Sequence, residues 1–315
     1  MINQNTMNPK SDVMRETFAE FLGTFILVLF GNAMNAVLVF TQSTSSVAAP
    51  LGWGLALMVA IAVSGEASGC HANPAITVAF ASIGKFKWEK VMPYFFAQYV
   101  GAFLASVVLY VLYLESFSNF DGGYRDIPPN KTATAQIFAT YPAEHISVYA
   151  ALGDQILTSM LFMMIILAIT DPRNMNIKKG QYPLVIGLAL TAVIFAFSYN
   201  CGAPLNPARD LSPRIFTALA GWGKKVFSFR GYKFFWVPVV GPHIGFVLGA
   251  WAYRLCIELH WPVDSNDFGN PTQVMTNGEL NKENDLPTFE RKRIPKRQQK
   301  SRRMIQRQGK KLFVI

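Results

Sequence analysis

Charge is scarce in this sequence. Only 15% of its 315 residues are Asp, Glu, Lys or Arg, against about a quarter in soluble domains, which excludes an ordinary cytosolic globule. Acids are missing altogether from residues 291–311, which hold eleven Lys and Arg. Residues 1–290 carry 18 basic against 19 acidic groups, so the net charge of +10 belongs to a tail. That excludes the whole chain as a nucleic-acid binder. Cysteine is scarce too: Cys70, Cys201 and Cys256 supply neither a disulfide framework nor a zinc spacing. No short apolar segment precedes a small-residue cleavage site, so no removable signal peptide is expected.

What the sequence does have is apolar length. Hydrophobic residues make up 51% of it, gathered near residues 15–39, 50–64, 92–114, 147–170, 182–200 and 234–257. About 20 such residues cross roughly 30 Å of hydrocarbon as a helix, and six runs predict an all-α membrane protein with six spans. Lys and Arg set the orientation. With the N-terminus cytoplasmic, the inside segments hold Lys10, Arg15, Lys85, Lys87, Lys90, Arg173, Lys178, Lys179 and the basic tail. The outside loop 40–50 has none, and 116–146 only Arg125 and Lys131. Segment 201–233 breaks the trend with six. Both termini inside is the better fit, with 1–14 a cytoplasmic segment, 15–259 the membrane-embedded domain and 260–315 a cytoplasmic tail expected to be disordered.

The chain repeats itself. Pro50-Leu-Gly-Trp-Gly-Leu-Ala-Leu57 returns as Pro183-Leu-Val-Ile-Gly-Leu-Ala-Leu190, and Asn73-Pro-Ala75 as Asn206-Pro-Ala208, both at an offset of 133. Glu20 and Thr24 match Asp154 and Thr158 at 134. The repeats (about 15–114 and 147–257) each hold three spans, so the second is inverted, an arrangement that puts a pathway near the midplane. Gln98 and Gly101 match Pro242 and Gly245 at 144, which places about eleven extra residues near 220–235.

Each Asn-Pro-Ala follows a glycine-containing, non-helical run and opens a short apolar one. Asn73 and Asn206 are preferred N-caps, and Pro74 and Pro207 suit a first helical turn. About eleven residues rise some 17 Å, half a bilayer, so two re-entrant half-helices are expected to meet N-terminus to N-terminus. Their dipoles repel cations there. The capping oxygens are used up, leaving the amide NH₂ groups as pore donors, and the non-helical carbonyls line one wall. Donors at a waist and acceptors along a wall suit a neutral, hydrogen-bonding solute.

Paired Asn-Pro-Ala boxes in inverted repeats resemble the aquaporin or major intrinsic protein family over residues 14–259. Arg209-Asp210, Leu211-Ser-Pro-Arg214 and Phe216-Thr-Ala-Leu-Ala-Gly-Trp-Gly223 are similar to its aquaglyceroporin branch. The resemblance implies a homotetramer with one pore per protomer and passive flow of water, glycerol and related neutral solutes such as urea, with no enzymatic activity and no cofactor. It implies a selectivity filter of Trp53, Ile194, Ala203 and Arg209. Ala203 stands where glycerol channels often have an aromatic residue, and Pro204 is unusual, so a wider pore is expected. A water-selective pore is the runner-up. A proton-coupled transporter using Glu20 and Asp154 is the alternative of another class, since intramembrane acids are functional candidates; the resemblance instead makes both acids, with Asp210, scaffold.

His71, two residues before Asn73, is read as a pore-lining hydrogen-bonding group, with pH gating the sharper alternative. Cys201 faces the outer vestibule or is buried. Asn130-Lys-Thr132 is a glycosylation sequon on the long outside loop. The basic tail is expected to contact anionic lipid.

Overall fold

Helices form wherever the sequence runs apolar. The computed structural model describes residues 9–262; the basic run at 291–311 and most of the tail lie outside them. Six long helices, α1 (Pro9–Phe40), α2 (Ala48–Ser68), α4 (Val91–Leu112), α6 (Val148–Thr170), α7 (Tyr182–Cys201) and α10 (Val237–Cys256), surround two short ones, α3 (Pro74–Ser82) and α8 (Pro207–Thr217). Helices α5 (Leu114–Asp121) and α9 (Lys225–Ser228) lie in connections. Five of the long helices are long and apolar enough to cross a membrane. The sixth, α10, has similar length, but Pro238, Pro242, His243 and Arg254 dilute its apolar character. Large side chains such as Phe18, Met92, Phe96 and Leu112 are more than 60% exposed, which suits helices whose outer faces meet lipid. The chain is a multi-pass membrane protein.

The inverted repeat is visible in the packing. In the first copy α1 packs on α2 and α4; in the second α6 packs on α7 and α10. The copies join where α2 crosses α7. A side chain at Gly54 would lie 2.6 Å from the Gly187 carbonyl, and one at Gly187 would lie 2.7 Å from the Gly54 carbonyl. These glycines are 133 apart, the repeat offset itself. Nothing larger fits.

After α3 the chain takes eight residues (83–90) to reach α4; after α8 it takes 19 (218–236) to reach α10. The eleven-residue difference is the expected insertion. It begins by continuing α8 to Leu219, leaves the helix at Ala220 and Gly221 (φ +117°), and packs over loop 122–147. Lys225 Nζ lies 2.7 Å from Asp126, holding that carboxyl below its ordinary range. Arg230 donates to the carbonyls of Ala143 (2.7 Å), Glu144 (2.7 Å) and Ile146. Two of the basic residues that broke the charge trend are therefore held by this loop.

Candidate functional site

Two loops meet at the centre of the bundle. Helix α2 ends at Gly69 (φ +87°) and α7 at Gly202 (φ +74°), both in the left-handed region glycine favours. The same region recurs at Cys70 and Ala72 (φ +47° each) and at Ala203 (+47°) and Leu205 (+53°). Each of these pairs is 133 apart. The chain turns left-handed at three of four residues in each loop, brings Asn73 and Asn206 to the centre, and starts α3 and α8 back toward opposite faces.

Asn73 Oδ1 accepts from the Ala75 amide (2.9 Å), and Asn206 Oδ1 from those of Ala208 (3.0 Å) and Arg209 (3.2 Å). The amide nitrogens are not wholly free for the pore, as the sequence had suggested. Asn73 Nδ2 donates to the Leu205 carbonyl (2.9 Å) and Asn206 Nδ2 to the Ala72 carbonyl (2.7 Å). Each caps its own helix and ties down the other loop. One N–H per asparagine remains, and the Ala72 and Leu205 carbonyls each have one of their two lone pairs engaged.

Three cavities run in series through this junction. One of about 340 Å³ reaches from Asn35 and Gln136 to Trp53, Ile194, Gly202 and Arg209. Those four residues also border a middle chamber of about 50 Å³, lined by Asn73, Asn206 and Ala203 and ending at Leu57, His71 and Ile76. The latter three border a third, of about 490 Å³, which extends to Glu66, Thr170 and Lys179. Shared linings make these one path, narrow in the middle and wide at both ends.

At the first junction the Arg209 guanidinium stands 4.4 Å from the centre of the Trp53 ring, and its Nη1 donates to the Phe138 carbonyl (3.0 Å). Ile194 borders the same junction, whereas Ala203 lines only the chamber beyond it. At the second junction Thr77 Oγ1 donates to the Asn73 carbonyl (3.1 Å) and accepts from Gln98 Nε2 (3.1 Å). Thr77 Oγ1 also lies 3.1 Å from His71 Nδ1, which engages this ring nitrogen and leaves Nε2 as the other hydrogen-bonding atom of the ring. Phe80 stacks on the ring at 5.0 Å.

Glu20 is fully buried and accepts four hydrogen bonds: from Ser68 Oγ and the His71 amide (2.8 Å each) to Oε1, and from the Ala72 amide (2.7 Å) and Gln98 Nε2 (2.8 Å) to Oε2. Asp154 does not do the same for the second loop. It is half-buried and bonded to Gln155 Nε2 (2.9 Å) and Asn200 Nδ2 (3.1 Å). The neighbouring Gln155, fully buried, accepts from the Leu205 amide (3.3 Å) instead. The correction is one residue, about 100° around the helix.

Asp210 and Arg214 form a buried ion pair (2.8 Å). Asp210 also accepts from the Thr140 amide (2.8 Å) and hydroxyl (2.5 Å), and Arg214 donates to the carbonyls of Thr140 (2.6 Å) and Val226 (2.9 Å). Three residues of one loop, Ile137, Phe138 and Thr140, thus reach Asn35, Arg209, Asp210 and Arg214. Sequence reasoning missed Asn35, Gln155 and this loop. Cys201 is buried against Ala151, Phe234 and Val237 and also borders the outer cavity. Asn130 is exposed, its Oδ1 accepting from Thr132 Oγ1 (3.2 Å).

A bundle of long helices around two half-helices that meet at crossed asparagines, with one lined path through it, defines a pore-forming membrane protein. The chain belongs to the major intrinsic protein family, whose sequence model matches residues 7–253. It is 42% identical to Aquaporin-10 of Milnesium tardigradum over 80% of this chain, and spans 65% of that protein's length. It is 41% identical to Aquaporin-9 of Homo sapiens over 82% of this chain and 88% of the relative. Among solved structures, the aquaglyceroporin from Plasmodium falciparum superposes with a TM-score of 0.71 at 31% identity, covering 78% of this chain and 98% of that one.

Proposed function

We propose that this protein is a passive, non-enzymatic channel of the aquaglyceroporin type for water and glycerol, admitting related small neutral solutes such as urea. The observation that carries the reading is the junction of Trp53, Ile194 and Arg209. The guanidinium stands over the indole at 4.4 Å, so an apolar surface and spare N–H donors adjoin at one point. A polyol can set its carbons against the apolar side chains of Trp53 and Ile194 and its hydroxyls on the guanidinium. Asn73 and Asn206 supply the next donors, and His71 Nε2 a hydrogen-bonding atom beyond them. Ala203 widens the chamber behind the filter. Two helix N-termini and a fixed guanidinium oppose cations.

Pro74 and Pro207 start the half-helices, while Glu20 and Asp210 act as scaffold. Glu20 has every lone pair engaged by a donor of the end of α2, the first loop or α4, which speaks against a proton-carrying role. Asp154 is a lesser support behind Gln155. We place the protein as a homotetramer in the cell membrane with both termini cytoplasmic. In support, segments 83–90 and 171–181 carry Lys and Arg while loop 41–47 has none, as expected of cytoplasmic connections. Asn130 is then extracellular and a glycosylation acceptor, and the tail meets anionic lipid.

Stopped-flow swelling of proteoliposomes in water, glycerol and urea gradients tests the reading. Flux should rise linearly with each gradient and ignore an imposed proton gradient. Saturable flux that follows the proton gradient would refute it. Ala203→Phe, at unchanged abundance, should lower glycerol flux more than water flux.

A further inference from the structure

The filter residues are themselves held, and by a device that no motif carries. Trp53 lies against α1. A side chain at Gly31 would come within 2.3–2.5 Å of the benzo carbons of the indole, so the ring occupies the space that glycine leaves. One helical turn on, the indole N–H donates to Asn35 Oδ1 (3.2 Å), and Asn35 Nδ2 donates to the Ile137 carbonyl (3.2 Å). The next carbonyl, that of Phe138, accepts from Arg209 Nη1 (3.0 Å). Two consecutive carbonyls of one buried turn therefore fix both walls of the filter, the arginine directly and the tryptophan through Asn35.

We infer that Asn35 is a positioning residue for selectivity: it keeps the Trp53 indole N–H out of the permeation path, so that the tryptophan wall presents only apolar surface. The inference rests on the filter reading given above. With that N–H engaged, every hydrogen-bond donor at the junction comes from the Arg209 side, and a solute is sorted by having one polar and one apolar edge. An indole without its acceptor carries an unsatisfied donor beside a wet path. It then swings toward water or recruits one, and the apolar wall is broken where a carbon backbone would lie. Water, which needs no apolar wall, is affected less.

A double-mutant cycle in proteoliposomes separates this from a structural role, reading glycerol and water flux per molecule for the wild type, Asn35→Leu, Trp53→Phe and the double variant. The loss of one hydrogen bond corresponds to roughly 2- to 12-fold; Asn35→Leu should lower the glycerol-to-water ratio by about threefold. In the Trp53→Phe background, which has no N–H to hold, the same substitution should leave the ratio unchanged, giving a coupled cycle. If Asn35→Leu does not reach the membrane, the smaller Asn35→Ala replaces it throughout. An unchanged ratio for Asn35→Leu in the chain that keeps Trp53, or an equal change with and without Trp53→Phe, overturns the inference. If Trp53→Phe alone leaves both fluxes untouched, the filter reading has failed, and this inference fails with it; Asn35 effects independent of Trp53 overturn only the positioning role.

Discussion

The two half-membrane loops have nearly the same backbone and are held by opposite means. Loop 69–72 is gathered on one buried carboxylate: Glu20 accepts from two of its amides, from Ser68 and from Gln98. Loop 202–205 has only a neutral amide, Gln155, at 3.3 Å from the Leu205 N–H. Its helix, however, is anchored by the buried Asp210–Arg214 pair and by loop 137–140. The first loop is secured at its own backbone. The second is secured from the half-helix beyond it and from a connection that the first repeat lacks. A shared left-handed twist sets the path; how it is braced is free to differ. The filter sits on the side braced from outside, where changing one loop adjusts Trp53 and Arg209 together.

The most damaging way to break this contrast is Asp210→Asn. It leaves Arg214 buried without its counter-charge, a loss of about 3–5 kcal/mol, and the folded protein should vanish from the membrane fraction. Wild-type abundance and thermal stability would show that the pair does not brace the second loop. Next comes Glu20→Gln, which gives the first loop the second loop's neutral acceptor. A carboxamide nitrogen would then face donors, at a cost of about 1–3 kcal/mol. Gln98→Glu in the same chain should restore part of the stability, and a thermal melt in detergent that shows no recovery would count against the direct contact.

The converse change, Gln155→Glu, offers the second loop a charge that Asp154 repels. We expect a loss of about 1 kcal/mol at neutral pH, relieved by Asp154→Asn. Equal losses with and without that second change would separate the two side chains.

The smallest effect lies at the opposite end of the bundle. Asp171, just past α6, has its carboxyl pushed down to about 2, first by the Arg173 side chain at 3.0 Å and also by the Tyr253 hydroxyl. A carboxyl depressed in the folded state stabilises above its unfolded value, about 3.9. That contribution disappears as pH falls through about 2. Stability between pH 5 and 8 should not sense this group. Arg173→Ala should move the acid loss toward pH 4, and an unmoved acid limb in pH-dependent unfolding would refute the pairing.

The fold was legible because its signals are long. Six apolar runs, two Asn-Pro-Ala boxes and an offset of 133 survive any local ambiguity, and even the eleven-residue insertion showed as a slip in register. Bracing was less legible. Matching Glu20 with Asp154 follows the chemistry of the letters, but the loop takes its bond from the side chain one position on. Sequence alone does not show which of two adjacent polar residues faces inward. Asn35 carried a faint signal, a polar residue one turn past Gly31 in an apolar helix. The carbonyls of Ile137 and Phe138 carried none, since any residue supplies a carbonyl.

The contact between Gly54 and Gly187 has a further meaning. Each glycine meets the backbone of the other across an axis that relates the two halves, as equivalent residues do in the isologous interface of a two-fold dimer. Two copies of a half-length chain, inserted in opposite directions, would touch at this same point. The single chain is in that sense a dimer whose subunits have been joined end to end. Joining frees each half to change without its twin. One half could keep Glu20 while the other took Gln155, and one half alone could acquire Arg209. A symmetric pair of separate chains would have had to carry every such change twice.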